Sequence, residues 1–141
     1  MTPQQKRVIR DTWQRVSALG EPAAELFYDR LFAIDPALAP LFAKSDMKAQ
    51  RAKLLQALAF VGAGLDRLDS LVPVLEDLGR RHVGYGVRKQ HYRTVGAALL
   101  WTLERGLGAA WSDEAEEAWA QAYAIVSGIM SAAAEPAAAR A

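Results

Sequence analysis

Apolar residues recur at three- and four-residue spacing along almost the whole chain, and no segment alternates convincingly between apolar and polar positions. This spacing places apolar side chains on one face of a helix, whereas a half-buried strand needs alternation. The sequence therefore predicts an all-α fold. Helices are expected over residues 2–19, 21–34, 36–42, 47–65, 70–82 and 89–105, and a last helix is expected to open at residues 112–114.

Several expected helix ends carry recognisable cap residues. Thr2 is a good N-cap, Pro3 suits the first helical position, and Gln5 completes a capping box. Asp46 and Ser112 are candidate caps for two later helices. We expect one domain over residues 1–134 and a short, frayed tail over residues 135–141.

Composition narrows the class of protein. The 141 residues are 52% apolar and 23% charged, which suits one domain with a substantial core. The net charge of +1 argues against dedicated nucleic-acid binding. No apolar run reaches the roughly 18 residues of a membrane span, and the N-terminus lacks a secretory signal, so we expect a cytoplasmic protein. The absence of cysteine excludes disulfides, Fe–S clusters, thiol catalysis and covalent attachment of haem or bilin.

The chain has two histidines, and each has two interpretations. His82 ends the apolar stripe Leu71, Leu75 and Leu78, so it faces the core. It is either a core histidine satisfied by a backbone carbonyl or an axial metal ligand, because one imidazole can anchor haem iron. A single histidine cannot make a zinc site without further ligands. His91 is expected to be a surface residue at a helix start.

Other candidate residues are individually ordinary. Tyr28 and Phe42 would usually be core aromatics, and Gln50 would usually border the apolar stripe that contains Leu54. Arg80 and Arg81 would usually form a solvated face. We find no phosphate loop, dinucleotide fingerprint, nucleophile elbow or catalytic triad.

Taken together, the ordered residues resemble the globin family over about residues 2–133. The resemblance rests on Tyr28, Pro36, Phe42, Gln50, Leu54 and His82, and on the segments 78–87 and 91–96. It is strongest to single-domain bacterial globins and to the globin domain of flavohaemoglobins. The resemblance implies a globin fold of helices packed three over three around haem b.

The resemblance also implies roles for individual residues. His82 would be the proximal iron ligand, and Phe42 would stack on the haem. The distal side, where gas binds, would be lined by Tyr28, Gln50 and Leu54. The resemblance places three further haem neighbours, namely Val87 and Tyr92 on the proximal side and Leu58 at the haem edge. Arg80 or Arg81 would lie near the propionates, and we include Arg81 among the expected haem neighbours.

Two positions depart from family patterns. Many globins have histidine where this chain has Gln50, whereas a distal Tyr–Gln pair resembles the bacterial subgroup. Flavohaemoglobin-type globins buttress the proximal histidine with Tyr and Glu. Tyr92 matches the tyrosine, but the glutamate position falls on Ala134, one residue before Glu135. Without that buttress, the imidazole N–H would bond to a backbone carbonyl near Leu78.

The resemblance implies reversible, high-affinity O₂ binding for carriage or storage, with NO and CO as further ligands. A second reading is a nitric oxide dioxygenase, which oxidises NO to nitrate with O₂ and would need a separate reductase. Two sensor functions also stay open, namely a haem-based gas sensor and a haem-free, globin-shaped sensor.

Overall fold

The structure is a computed structural model that describes residues 1–84 and 86–140, without the side chains of residues 135–140. This part of the chain is helical and contains no strand, which confirms the all-α prediction. The helices are α1 (Pro3–Ser17), α2 (Glu21–Ile34), α3 (Met47–Ala63), α4 (Leu68–Gly84), α5 (Lys89–Leu107) and α6 (Asp113–Arg140). Short 3-10 helices span Pro36–Phe42, Leu65–Arg67 and Gly108–Ala110.

The predicted caps are present. Thr2 Oγ1 accepts from the Gln5 backbone N–H at 3.1 Å, and Gln5 Oε1 accepts from the Thr2 N–H at 2.9 Å, which completes the capping box. Asp46 Oδ1 accepts from the Lys48 N–H at 3.0 Å at the start of α3. Ser112 Oγ accepts from the backbone N–H three residues later at 3.1 Å. Each bond satisfies an N–H that the first helical turn leaves without a partner.

Some helix ends differ from the sequence-based expectation. The helix expected over residues 70–82 begins at Leu68, directly after a 3-10 turn, and continues to Gly84. The next helix passes through Gly106 and ends at Leu107. Gly108 ends it because its φ of 54° lies in the left-handed region that glycine adopts without strain.

The helices pack in pairs. α4 lies along α6, α2 crosses α5, and α1 contacts α6 and α3. Gly79 of α4 permits a close approach, because an added Cβ would overlap the backbone carbonyl of Met130 on α6. The core also holds a buried polar link, in which Trp119 Nε1 donates to Thr12 Oγ1 at 2.8 Å. The close α4–α6 contact fixes the helix that carries His82.

Two sequence-based expectations concern membrane-spanning helices and the C-terminal tail. Within the described residues, no helix is both long enough and apolar enough to cross a bilayer. The predicted tail comprises residues 135–141. The side chains of residues 135–140 and the whole of residue 141 lie outside the described part of the chain. The frayed tail therefore remains a prediction.

Candidate functional site

An aromatic cluster surrounds Tyr28 on α2. The Tyr28 ring is only 6% exposed. Its centroid lies 5.0 Å from that of Phe27 and 5.7 Å from that of Phe42, both in edge-on arrangements. Phe32 also contacts this cluster, with its centroid 5.5 Å from that of Phe42. The 3-10 helix that begins at Pro36 thus delivers Phe42 to Tyr28, as expected if both residues line one site.

The Tyr28 hydroxyl meets Gln50, which lies in the first turn of α3. The Gln50 side chain lies close enough to this hydroxyl to act on its pKa. Burial raises the pKa of Tyr28 above its usual value, although Gln50 and the positive charge of Arg51 act in the opposite direction. The hydroxyl therefore keeps its proton at neutral pH and can donate it in a hydrogen bond.

The apolar face of α3 is incompletely covered by protein. Gly62 is the one fully buried residue of this helix. Leu54 and Leu58 are half-buried and border the core. An apolar stripe of this kind is normally buried against another helix. Its partial exposure fits a helix whose burial is completed by a ligand.

His82 lies in the last turn of α4 and is half-buried. Its Nδ1 is 2.6 Å from the carbonyl oxygen of Leu78, one turn earlier. A carbonyl only accepts hydrogen bonds, so Nδ1 carries a proton and Nε2 is the ring nitrogen through which His82 would bind a metal. This carbonyl is the partner expected from the sequence for a ring without a glutamate buttress. The bond fixes the tautomer and the ring orientation, as is usual for a metal-ligating histidine.

After the end of α4, the backbone at Val87 bonds back to His82, and Tyr92 follows at the start of α5. The Val87 N–H donates to the His82 carbonyl at 3.0 Å, and Val87 is half-buried. The Tyr92 hydroxyl, at the start of α5, is buried and has no hydrogen-bond partner among the described residues. Burial raises the pKa of Tyr92, so this hydroxyl stays protonated. Its backbone carbonyl accepts from the Tyr123 hydroxyl.

The remaining residues have clear positions. Arg81 is exposed and pairs with Asp77 on the same helix, Nη2 to Oδ2, at 2.9 Å. His91 lies at the start of α5, where its Nδ1 accepts from the Arg88 N–H at 2.8 Å and so stabilises the helix N-terminus. The glutamate buttress of His82 considered above depends on Glu135, whose side chain lies outside the described residues.

These residues fit a haem. The predicted haem neighbours Phe42, Gln50, Leu54, Leu58, His82, Val87 and Tyr92 are all half-buried, as expected for side chains that a flat apolar cofactor would cover. Across the described part of the chain, α3 packs on α1 and α2, α4 packs on α6, and α3 and α4 have almost no direct contact. No group of three or more histidine, cysteine or acidic residues that could hold a bare metal ion is found there. One histidine suffices when a porphyrin supplies four ligands.

An ion pair that the sequence analysis did not single out lies beside the Tyr28–Gln50 pair. Arg51 donates to Glu21 Oε1 from Nε at 3.0 Å and from Nη2 at 2.7 Å. The two residues are far apart in sequence, so periodicity within one helix could not have paired them.

Comparisons with known proteins agree with this geometry. The family model described as "Globin" matches residues 25–130. Over 139 residues the chain is 31% identical to a neuroglobin from Danio rerio, an alignment that covers 89% of this chain and 87% of the relative. It is also 31% identical over 121 residues to a flavohemoprotein from Bacillus subtilis, where 84% of this chain is covered. The match spans only 30% of that longer relative.

Solved structures have the same fold. A bacterial globin from Campylobacter jejuni superposes with a TM-score of 0.83 at 23% identity, covering 96% of this chain and 97% of the other. A hexacoordinated heme protein from an anhydrobiotic tardigrade superposes with a TM-score of 0.88 at 17% identity, covering 96% of each chain. These likenesses confirm the predicted globin fold. From the match to the family model and the identity to full-length relatives, the chain belongs to the globin family.

Proposed function

We propose that this globin holds haem b through His82 Nε2 and binds O₂ reversibly with high affinity. One observation carries the proposal: the His82 ring is fixed through Nδ1 by the Leu78 carbonyl, in a chain that also brings Tyr28 and Gln50 together at a half-covered apolar face. Held at this site, haem would supply an iron atom that binds the gas and polarises dioxygen. The protein residues decide how strongly that polarised ligand is held.

Tyr28 and Gln50 would stabilise bound dioxygen by donating hydrogen bonds to it. The Tyr28 hydroxyl keeps its proton because burial raises its pKa, and the Gln50 amide has two N–H donors. A hydrogen bond to a charged acceptor contributes about 1.5–3 kcal/mol, or roughly ten- to a hundredfold in affinity. CO carries less charge, so the same donors favour it less. Selectivity for O₂ over CO follows from this difference.

Apolar side chains would keep water from the gas. Phe27 is buried, and Phe42 and Leu54 are half-buried beside it at the same end of the molecule as Tyr28. Water near the iron promotes oxidation to the ferric state, so this wall would preserve the ferrous form. With Gln50 in place of a distal histidine and His91 committed to the α5 N-terminus, we expect five-coordinate ferrous iron in the absence of gas.

Oxygen equilibrium measurements test the proposal. Reduced, haem-loaded protein should bind O₂ and release it again over repeated cycles, with little conversion to the ferric form. His82→Ala should lose stable haem binding, whereas His91→Ala, at the start of α5, should keep it. Haem binding that is unchanged in His82→Ala would refute the ligand assignment.

Nitric oxide dioxygenation is the second candidate, favoured by the identity to flavohemoproteins. Tyr28 and Gln50 would serve that chemistry equally, since both reactions begin with held dioxygen. Each turnover consumes an electron, so sustained activity would need a reductase to supply it. Because most oxygenated globins react once with NO, only sustained nitrate formation with a reductant present would favour the enzyme.

A further inference from the structure

Two cross-helix contacts join α2 to α3. One is the approach of the Gln50 side chain to the Tyr28 hydroxyl, which lowers the pKa of that hydroxyl. The other is the ion pair in which both Nε and Nη2 of Arg51 donate to Glu21 Oε1. The same two helices thus carry the distal donors and a charged link, and the link uses the residue that directly follows Gln50.

The two contacts join the same face of α2 to the same short segment of α3. Glu21 begins α2, and Tyr28 lies two turns later on the same face of that helix. Gln50 and Arg51 are neighbours in the first half of α3. The position of α3 relative to α2 therefore decides both contacts together.

The first half of α3 packs on the core through Met47 and Leu54, but it has few other polar ties to α2. The fully buried residue of α3, Gly62, lies near its far end. Asp46 caps the helix but belongs to α3's own N-terminus, so it does not tie α3 to α2. The ion pair is consequently a main polar restraint on the segment that carries Gln50.

The charge of Arg51 also acts on Tyr28. It lowers the pKa of Tyr28 against the effect of burial, which makes the hydroxyl a better donor. The Arg51 side chain is 20% exposed and that of Glu21 is 43% exposed, so solvent screens the pair and its contribution to overall stability is small. Its effect is expected in the placement of the donors.

We propose that Glu21 and Arg51 are positioning residues that hold Tyr28 and Gln50 in donor geometry and thereby set the selectivity for O₂ over CO. This rests on the proposed O₂ binding. Neither residue needs to touch the gas: the ion pair holds α3 in place, and α3 carries Gln50.

The test compares Glu21→Gln with a matched control, both in the haem-loaded protein. Asp66→Asn is the control, since Asp66 also forms an exposed ion pair between separate elements, with Arg10 of α1. Glu21→Gln should raise the O₂ dissociation rate about three- to tenfold, part of what one charged hydrogen bond provides. The CO dissociation rate should change less than about twofold. Arg51→Lys keeps the charge but loses the two-nitrogen contact, and should fall between wild type and Glu21→Gln.

Two further readouts separate positioning from general loosening. Hydrogen exchange of the CO complex should accelerate in residues 47–54 for Glu21→Gln and not for Asp66→Asn, and the Fe–CO stretching frequency should shift only in the former. Equal changes in the O₂ and CO rates, or a Glu21→Gln protein that matches the control, would overturn the proposal. If wild type fails to bind O₂ reversibly, the proposed function fails, while hydrogen exchange still tests the restraint on α3.

Discussion

Replacing Tyr28 by phenylalanine isolates one hydroxyl of the distal site. The ring is 6% exposed and packs edge-on against Phe27 and Phe42, contacts that phenylalanine can keep. The hydroxyl's partner, Gln50, is half-buried and can turn towards solvent, so no buried polar group is left without a partner. The substitution therefore removes a donor with little change in packing.

The expected effect follows from the strength of one charged hydrogen bond. Its loss costs about 1.5–3 kcal/mol, so O₂ release should become at least about ten times faster. Because the difference between related complexes appears mainly in dissociation, association should change little. CO dissociation should change much less, since bound CO carries less charge.

Stopped-flow replacement of O₂ by CO measures the O₂ dissociation rate, and replacement of CO by NO measures the CO dissociation rate. The matched control is Phe32→Leu, which alters the same aromatic cluster without removing a hydroxyl. An unchanged O₂ dissociation rate in Tyr28→Phe would remove Tyr28 from the distal role. A similar increase for both gases would show that the pocket has loosened and that no specific donor was lost.

The fold itself gives three further predictions. Gly79→Ala should lower the free energy of unfolding by about 1–3 kcal/mol in urea denaturation, because the added Cβ overlaps a backbone carbonyl of α6. The control is Gly128→Ala, where the Cβ meets open space; it should raise the free energy of unfolding by up to about 1 kcal/mol. Trp119→Phe should cost about 0.5–1.5 kcal/mol in the same assay, since the Thr12 hydroxyl loses its indole donor but keeps its bond to the Val8 carbonyl. Burial raises the pKa of Tyr123, so its hydroxyl loses its proton at a higher pH in the folded state than in the unfolded chain. The free energy of unfolding should therefore keep its full value below about pH 10 and fall at higher pH. This fall with pH should be smaller in Tyr123→Phe.

Local chemistry explains why much of the fold could be predicted. Thr2, Asp46 and Ser112 cap helices because short polar side chains satisfy nearby backbone N–H groups, an effect visible in a few consecutive residues. The end of α5 was less accurate, because two glycines compete there and only Gly108 takes a positive φ. Which glycine ends the helix depends on tertiary packing.

The site was predictable where it depends on spacing within one helix. His82 follows Leu78 by one turn, so their hydrogen bond could be expected from sequence. The link between Glu21 and Arg51 could not, because it depends on how α2 crosses α3. Charged residues make up 23% of the chain, so nothing in the residue types alone distinguishes this pair from the rest.

The absorption spectrum of the purified protein, recorded ferric, then reduced with dithionite, then exposed to O₂, is the most direct test of haem binding through His82 and reversible O₂ binding. We expect a Soret band, a five-coordinate reduced form through His82, and a stable oxygenated form that returns to the reduced spectrum when O₂ is removed. A protein that takes up no haem even after hemin is added, or whose reduced form is oxidised by O₂ without a reversible complex, would refute the proposed function.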